Sequence, residues 1–176
     1  MVSLTFLFWL MVVLFALIGA MRGWARELLV TFSVILAIFI LTVLERFIPF
    51  VRDSLTGESQ FWFRSGILAL LVFFGYQTPN LPKIAASGRF VRERLQDVLL
   101  GLFLGAINGY LVFGTIWSYL NVAGYPFPAI SAPVAGTAIG DAAIKLLALM
   151  PPTWLGTPAI YFAIAIAFVF VLVVFI

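Results

Sequence analysis

The stretch MVSLTFLFWLMVVLFALIGAM, residues 1–21, carries no charged side chain and is followed directly by Arg22. A helix needs about 20 mostly apolar residues, at about 1.5 Å each, to cross the hydrocarbon core of a bilayer. We therefore expect a membrane-spanning helix over residues 4–20. A cleaved signal peptide is the alternative, but the stretch is long and lacks an amino-terminal Lys or Arg, so we expect it to be retained.

The composition of the whole chain extends this conclusion beyond the first segment. The 176 residues are 64% hydrophobic and only 10% charged, whereas soluble domains are about 45–50% apolar and about 25% charged. A soluble fold of this size could not bury so much apolar surface. Disordered chains are poor in apolar residues and rich in charge, so disorder is excluded as well. The sequence predicts an integral membrane protein.

Four further apolar runs predict four more spans, over residues 28–51, 61–76, 98–120 and 158–176. Continuous apolar runs of this length favour helices, because strands of a membrane barrel alternate in polarity and are about half as long. The expected fold is all-α. A single membrane domain, residues 1–176, would hold a four-span bundle over 1–120, a Pro- and Gly-rich extracytoplasmic connector over 121–156 and a fifth span over 157–176.

The distribution of basic residues predicts the orientation, since loops on the cytoplasmic side are enriched in Lys and Arg. The larger group comprises Arg22, Arg26, Lys83, Arg89, Arg92 and Arg94, and the smaller comprises Arg46, Arg52, Arg64 and Lys145. We expect the larger group to be cytoplasmic. The amino terminus would then lie outside and, with five spans, the carboxyl terminus inside.

Short interfacial helices are expected at two places. Before the fourth span, Phe90, Val91, Leu95, Val98 and Leu99 fall on one helical face. This pattern predicts a basic helix parallel to the membrane that leads into the span and binds lipid headgroups through Arg89, Arg92 and Arg94. The alternative is ordinary flanking charge that sets the topology.

The second interfacial helix is expected over residues 139–150, on the outer surface. Asp141 and Lys145 are spaced i, i+4 and form one polar stripe on an otherwise apolar helix. Pro151 and Pro152 should stop this helix.

Residues 19–27, GAMRGWARE, form a very short turn between the first two spans, which should make a tight antiparallel hairpin. Gly19 and Gly23 permit close backbone approach or a positive φ. Arg22 and Arg26 would lie at the membrane face, and Glu27 at the start of the second span, where a helix amino terminus stabilises a carboxylate. A simple positively charged cytoplasmic turn is the alternative.

Residues 97–109, DVLLGLFLGAING, open the fourth span with a row of small residues. Gly101, Gly105 and Gly109 repeat every four residues and line one helix face, which permits close packing against another helix. A narrow substrate path along the same face is the alternative. Asn108 neighbours this face and could hydrogen-bond across a helix interface, a contribution of about 1 kcal/mol.

Charged groups of the two motifs should meet at the cytoplasmic face. Arg22, Arg26, Glu27, Arg94 and Asp97 share that face, and we expect an Arg of the first turn to reach Asp97. Such a pair would hold the first hairpin to the fourth span in surroundings drier than bulk water.

Together the two motifs resemble the colicin V production (CvpA) family of bacterial inner-membrane proteins. The resemblance depends on Arg22-Gly23-x-x-Arg26-Glu27 and on Asp97 followed by Gly101, Gly105 and Gly109. It implies a small helical protein of the bacterial cytoplasmic membrane, in a family linked to toxin export and envelope stress tolerance. The chain departs from the family at Val98 and Asn108, two positions that are often basic there, and in its fifth span.

The absence of Cys and His removes the usual thiolate, imidazole and iron–sulfur chemistry. No nucleophile, metal or phosphate-loop motif is present either. We expect no enzymatic activity and no cofactor, although a pigment or quinone held without His ligation stays open. The sequence favours a structural or accessory subunit of a larger membrane assembly. Its partners would be membrane lipids, other membrane proteins or further copies of itself, without nucleic acid; a CvpA-like role in export or envelope homeostasis, as a passive oligomeric pore, is the alternative.

Overall fold

The computed structural model describes residues 3–77 and 91–175, and this part of the chain forms helices and turns without a strand. The helices are α1 (Leu4–Arg22), α2 (Trp24–Phe47), α3 (Pro49–Asp53), α4 (Gly57–Tyr76), α5 (Val91–Val122), α6 (Ala138–Leu147), α7 (Pro151–Trp154) and α8 (Ala159–Phe175). Three of the described helices are long and apolar enough to cross a membrane, namely α1, α2 and α5 from Arg94 onward. The chain is an all-α membrane protein.

A single residue separates α1 from α2. This residue is Gly23, which follows the end of α1 and precedes the start of α2. Its φ of 86° lies in the left-handed region that favours glycine. The turn is as short as the sequence predicts. The predicted tight hairpin does not continue beyond the turn, because α1 packs mainly along α5 and only slightly on α2. We call the end of the bundle that holds this turn the Arg22 end.

The helices found where the second and third spans are expected, α2 and α4, differ from those spans in their bounds. Helix α2 ends at Phe47, short of residue 51, because Pro49 has no N–H to donate and forces Ile48 into an extended conformation (φ −110°, ψ 102°). Helix α4 begins at Gly57, a turn before residue 61, where the backbone N–H of Thr56 donates to Ser59 Oγ at 3.2 Å. We call the end where α2 stops the Phe47 end.

Helix α5 crosses the whole bundle without a break. It starts beside α2, where Asp97 contacts Trp24, and reaches the Phe47 end, where Arg64 lies 5.5 Å from the ring centre of Tyr119. The helix expected to lead into the fourth span is continuous with it from Val91 onward, where it forms the first turns of α5. Its placement parallel to the membrane stays a prediction. Arg89 and the side chain of Arg92 lie outside the described residues.

The helix expected over residues 139–150 is present as α6, Ala138–Leu147, but the segment that follows it does not stay at the end of the bundle. The Tyr110 hydroxyl donates to the carbonyl of Leu149 and accepts from Trp154 Nε1 at 3.1 Å. Tyr110 precedes the last residue of α5 by twelve positions, about 18 Å along the axis. The chain between α6 and α7 thus reaches deep along α5, because apolar residues Ala143 and Met150 pack against Phe8 and Trp117.

The two prolines begin a helix here instead of ending one. Helix α6 stops at Leu147, and Pro151 occupies the first turn of α7, where its missing N–H is not needed. Thr137 caps the start of α6, because its hydroxyl oxygen accepts from the backbone N–H of Gly140 at 3.0 Å, and Asp141 accepts from the backbone N–H of Gly136 at 2.9 Å. The expected polar stripe with Lys145 holds no ion pair among the described residues.

Helix α8 starts beside the middle of α2 and runs back toward the Arg22 end. Its ring contacts are Tyr161 with Phe39 at 6.1 Å and Phe170 with Phe32 at 5.4 Å. The apolar core lies between α2, α4 and α5, and its most buried members include Val30, Val34, Leu41, Leu68 and Leu111. The outward side of α1 exposes large apolar side chains that suit contact with lipid or a partner, among them Phe6, Trp9, Val13 and Leu17.

Candidate functional site: a buried polar cluster at the Arg22 end

Glu27 is the centre of a polar cluster at the Arg22 end of the bundle. It lies in the first turn of α2, and its side chain is 0% exposed. Oε1 accepts a hydrogen bond from Arg22 Nη1 at 2.7 Å, and Oε2 accepts from Asn108 Nδ2 at 2.8 Å. A buried charge is tolerated only when it is paired and hydrogen-bonded. Both carboxylate oxygens therefore have partners within the fold.

Arg22 links three helices. It is the last residue of α1, it pairs with Glu27 of α2, and its Nη2 donates to the carbonyl oxygen of Tyr76 at 3.2 Å. Its guanidinium carbon also lies 4.3 Å from the centre of the Tyr76 ring, in cation–π contact. Because Tyr76 is the last residue of α4, the positive charge also sits at the negative end of that helix.

Asn108 joins α5 to α2 through both ends of its amide. Its Nδ2 donates to the Glu27 carbonyl oxygen at 2.8 Å as well as to the carboxylate, and its Oδ1 accepts from the Thr31 hydroxyl at 2.7 Å. Asn108 is fully buried. The geometry agrees with the expected hydrogen bond across a helix interface. Thr31, which the sequence analysis missed, is one turn beyond Glu27 on the same face of α2.

The predicted ion pair between an Arg of the first turn and Asp97 is wrong. Asp97 Oδ1 accepts instead from the backbone N–H of Trp24 at 3.1 Å, and no ion pair among the described residues includes Asp97. Arg22 is already engaged by Glu27. The left-handed Gly23 turns the first free amide of α2 toward α5, where Asp97 satisfies it. A Cβ on Gly23 would lie 2.7 Å from Asp97 Oδ2, so a larger residue would displace this cap.

The glycine face of α5 is filled by the backbone of α1. A Cβ added to Gly109 would lie 2.8 Å from Val12 Cα, and one added to Gly19 would lie 2.7 Å from Gly105 Cα. A Cβ added to Gly101 would likewise collide with the carbonyl oxygen of Gly19. Within one protomer this face is therefore a packing surface, and the alternative of a substrate path along it is wrong.

The remaining basic residues of the predicted site stay apart from the cluster. Arg26 and Arg94 are exposed, and neither belongs to an ion pair within the described part of the chain. Among the described residues no group of three acidic side chains could hold a metal ion. The cluster thus brings together Arg22, Glu27 and Asn108 of the predicted residues and adds Thr31 and Tyr76.

A second ion pair lies at the Phe47 end. Arg64 Nε of α4 lies 2.6 Å from Glu45 Oε1 of α2, and the side chains are 14% and 30% exposed, respectively. This pair also joins two neighbouring helices, but it remains in contact with the outside of the bundle.

No family model matches the chain, and no curated protein and no solved structure is similar to it at a significant level. The resemblance to the CvpA family therefore stays a hypothesis that depends on the two sequence motifs.

Proposed function

We propose that this protein is a non-enzymatic, multi-pass subunit that packs within a larger assembly of the bacterial inner membrane. The observation that carries the proposal is the cluster around Glu27. The charged and amide groups of this cluster join α1, α2, α4 and α5 to one another. Both carboxylate oxygens of Glu27 accept hydrogen bonds from neighbouring helices. In membranes such polar contacts hold helices together.

The proposal includes a five-span topology with the amino terminus outside. Two features support it. The helix directions alternate, because α1 and α4 run toward the Arg22 end, whereas α2 and α5 run away from it. Helix α8 then returns to the Arg22 end, and the exposed cations Arg26 and Arg94 lie at that end. Cytoplasmic placement of the Arg22 end is the expectation from the sequence, in which six basic residues are assigned to the side of the Arg22 turn and four to the other side.

The outward side of α1 is the surface that we assign to lipid or to a partner helix. Helix α1 packs on α5 through its small residues and buries Phe8 in the core, whereas its large apolar side chains Phe6, Trp9, Val13 and Leu17 face away from the bundle. Exposed apolar surface of this extent marks contact with a membrane or with another protein.

Site-directed crosslinking in native membranes tests the proposal. The chain has no cysteine, so Val13→Cys provides one reactive thiol on the outward side of α1. We expect a thiol-linked benzophenone photo-crosslinker, which reacts with C–H bonds, to give a discrete larger species, and mild detergent to release a complex of the same composition. Leu111→Cys, buried in the core, is the matched control and should give none. A lone protomer in both experiments would contradict the proposal.

A pore is the competing function, and the interior of one protomer does not favour it. Val34, Leu68 and Leu111 fill the space between α2, α4 and α5, so a path would have to form between several copies. Release of ions or peptides from liposomes that contain only the purified chain would overturn the subunit proposal in favour of this alternative.

A further inference from the structure

An apolar groove of about 780 Å³ opens between α2, α4 and α8. Leu29, Phe32 and Leu36 line it on α2, Leu71 and Phe74 on α4, and Phe168 on α8. Its volume falls within the range of about 300–1,000 Å³ that is usual for ligand sites. The hydroxyl of Ser33, which also lines it, donates to the Leu29 carbonyl oxygen at 2.9 Å. The groove therefore suits an apolar ligand.

The groove exists because α8 packs chiefly against α2 and leaves a gap beside α4. Its α2 wall extends from Leu29 to Leu36, about 10 Å along the helix axis. The groove thus runs beside helices that we assign to the bilayer. Lipid acyl chains lie along the same direction, so a hydrocarbon chain matches the chemistry and the direction of its walls.

A cation stands at the Arg22 end of this groove. Arg26 precedes Leu29 by three residues and Ser33 by seven, so the three share one face of α2. The Arg26 side chain is exposed, and within the described residues it takes part in no ion pair. Arg22, in contrast, is neutralised by Glu27. Of these two cations of the described chain, Arg26 is therefore the one available to pair with an anion at this end of α2.

We infer that the α2–α4–α8 groove binds an acyl chain of an anionic phospholipid whose headgroup phosphate pairs with Arg26. Basic side chains next to a membrane attract anionic headgroups, and the groove removes the chain from the surrounding lipid. This site is distinct from the headgroup contacts that the sequence predicts for Arg89, Arg92 and Arg94.

Native mass spectrometry of the full chain, extracted from vesicles of equal parts phosphatidylglycerol and phosphatidylethanolamine, tests the inference. We expect phosphatidylglycerol to be retained in preference to phosphatidylethanolamine. Arg26→Gln should reduce that preference about fivefold, the effect of one basic residue at an anionic surface. Arg46→Gln, which removes an exposed charge at the other end of α2, is the matched control and should leave the preference unchanged.

A second variant tests the groove itself. Ala165 lines the groove on α8 and is exposed, so Ala165→Phe should fill the space without disturbing the core and should reduce retention of both lipids. Equal phosphatidylglycerol retention by Arg26→Gln and Arg46→Gln would overturn the assigned headgroup contact. Unchanged retention by Ala165→Phe would overturn the groove as the site. Disulfide-linked dimers of Ser33→Cys would also overturn it, because the groove would then hold a second copy of the chain.

Discussion

The two ends of the bundle use the same chemistry in different surroundings. At the Arg22 end, Arg22 and Glu27 meet at 2.7 Å, and at the Phe47 end Arg64 and Glu45 meet at 2.6 Å. Glu27 is wholly buried and receives a second bond from Asn108, whereas the Glu45 side chain is 30% exposed. The distance between the charges is therefore a poor guide to their importance, which depends on what each carboxylate would contact if its partner were removed.

The largest expected loss of stability comes from breaking the buried ion pair, in contrast to the partly exposed one. Arg22→Leu should lower the free energy of unfolding by about 3–5 kcal/mol, because it leaves the Glu27 charge buried without a partner. Arg64→Leu should lower it by about 1 kcal/mol or less, because Glu45 can turn to polar surroundings. Equilibrium unfolding in mixed detergent micelles, followed by Trp fluorescence, measures both. Equal losses of unfolding free energy in the two variants would show that the two ion pairs contribute equally to stability.

The next largest effect concerns the glycine face near the Arg22 end. Gly105→Leu should destabilise the fold by about 1–3 kcal/mol or more, because its side chain would enter the backbone of α1. Gly66→Leu is the matched control, since a Cβ at Gly66 has nothing within 4 Å. We expect the control to unfold like the parent chain. A tolerated Gly105→Leu would contradict the close contact between α1 and α5.

A smaller effect is expected at the amide of the cluster. Asn108→Leu should cost about 1 kcal/mol, the usual size of a polar contact between membrane helices. The exposed Asn121 near the end of α5 is the matched control, and Asn121→Leu should leave the unfolding curve unchanged. The same micelle titration applies. If Asn108→Leu unfolds like the control, the link between α5 and Glu27 adds nothing to stability.

The smallest expected effect is at the cap of α2. Asp97→Ala should cost about 0.5–1 kcal/mol, because the Trp24 amide loses its acceptor at an exposed site. Asp97→Asn keeps an acceptor oxygen and should cost less than Asp97→Ala. If the two variants instead lose the same stability, charge and not the hydrogen bond is what matters at this position.

Local patterns were sufficient to predict the helices near the Gly23 turn. The charge-free run of residues 4–20 predicts α1, the turn glycine has the expected positive φ, and Gly101 to Gly109 form a packing face. Each of these features depends on neighbours in sequence or on helical periodicity. The sequence could therefore indicate them without knowledge of which helices meet.

Contacts between residues that are far apart in the sequence could not be predicted in this way. The sequence places Glu27 at a helix start, but only the position of α5 buries it against Asn108 and directs Arg22 to it instead of to Asp97. The depth of the α6–α7 segment depends on Tyr110, whose partners Leu149 and Trp154 lie about forty residues away. Such contacts follow from the packing of whole helices.

A double-mutant cycle on Arg22 and Glu27 tests most directly whether the buried charges serve to hold the helices together. The account predicts that Arg22→Leu and Glu27→Leu each destabilise the chain strongly in mixed micelles. It also predicts that the double variant is more stable than either single variant, since it leaves no unpaired charge. A double variant whose loss equals the sum of the two single losses would contradict this account.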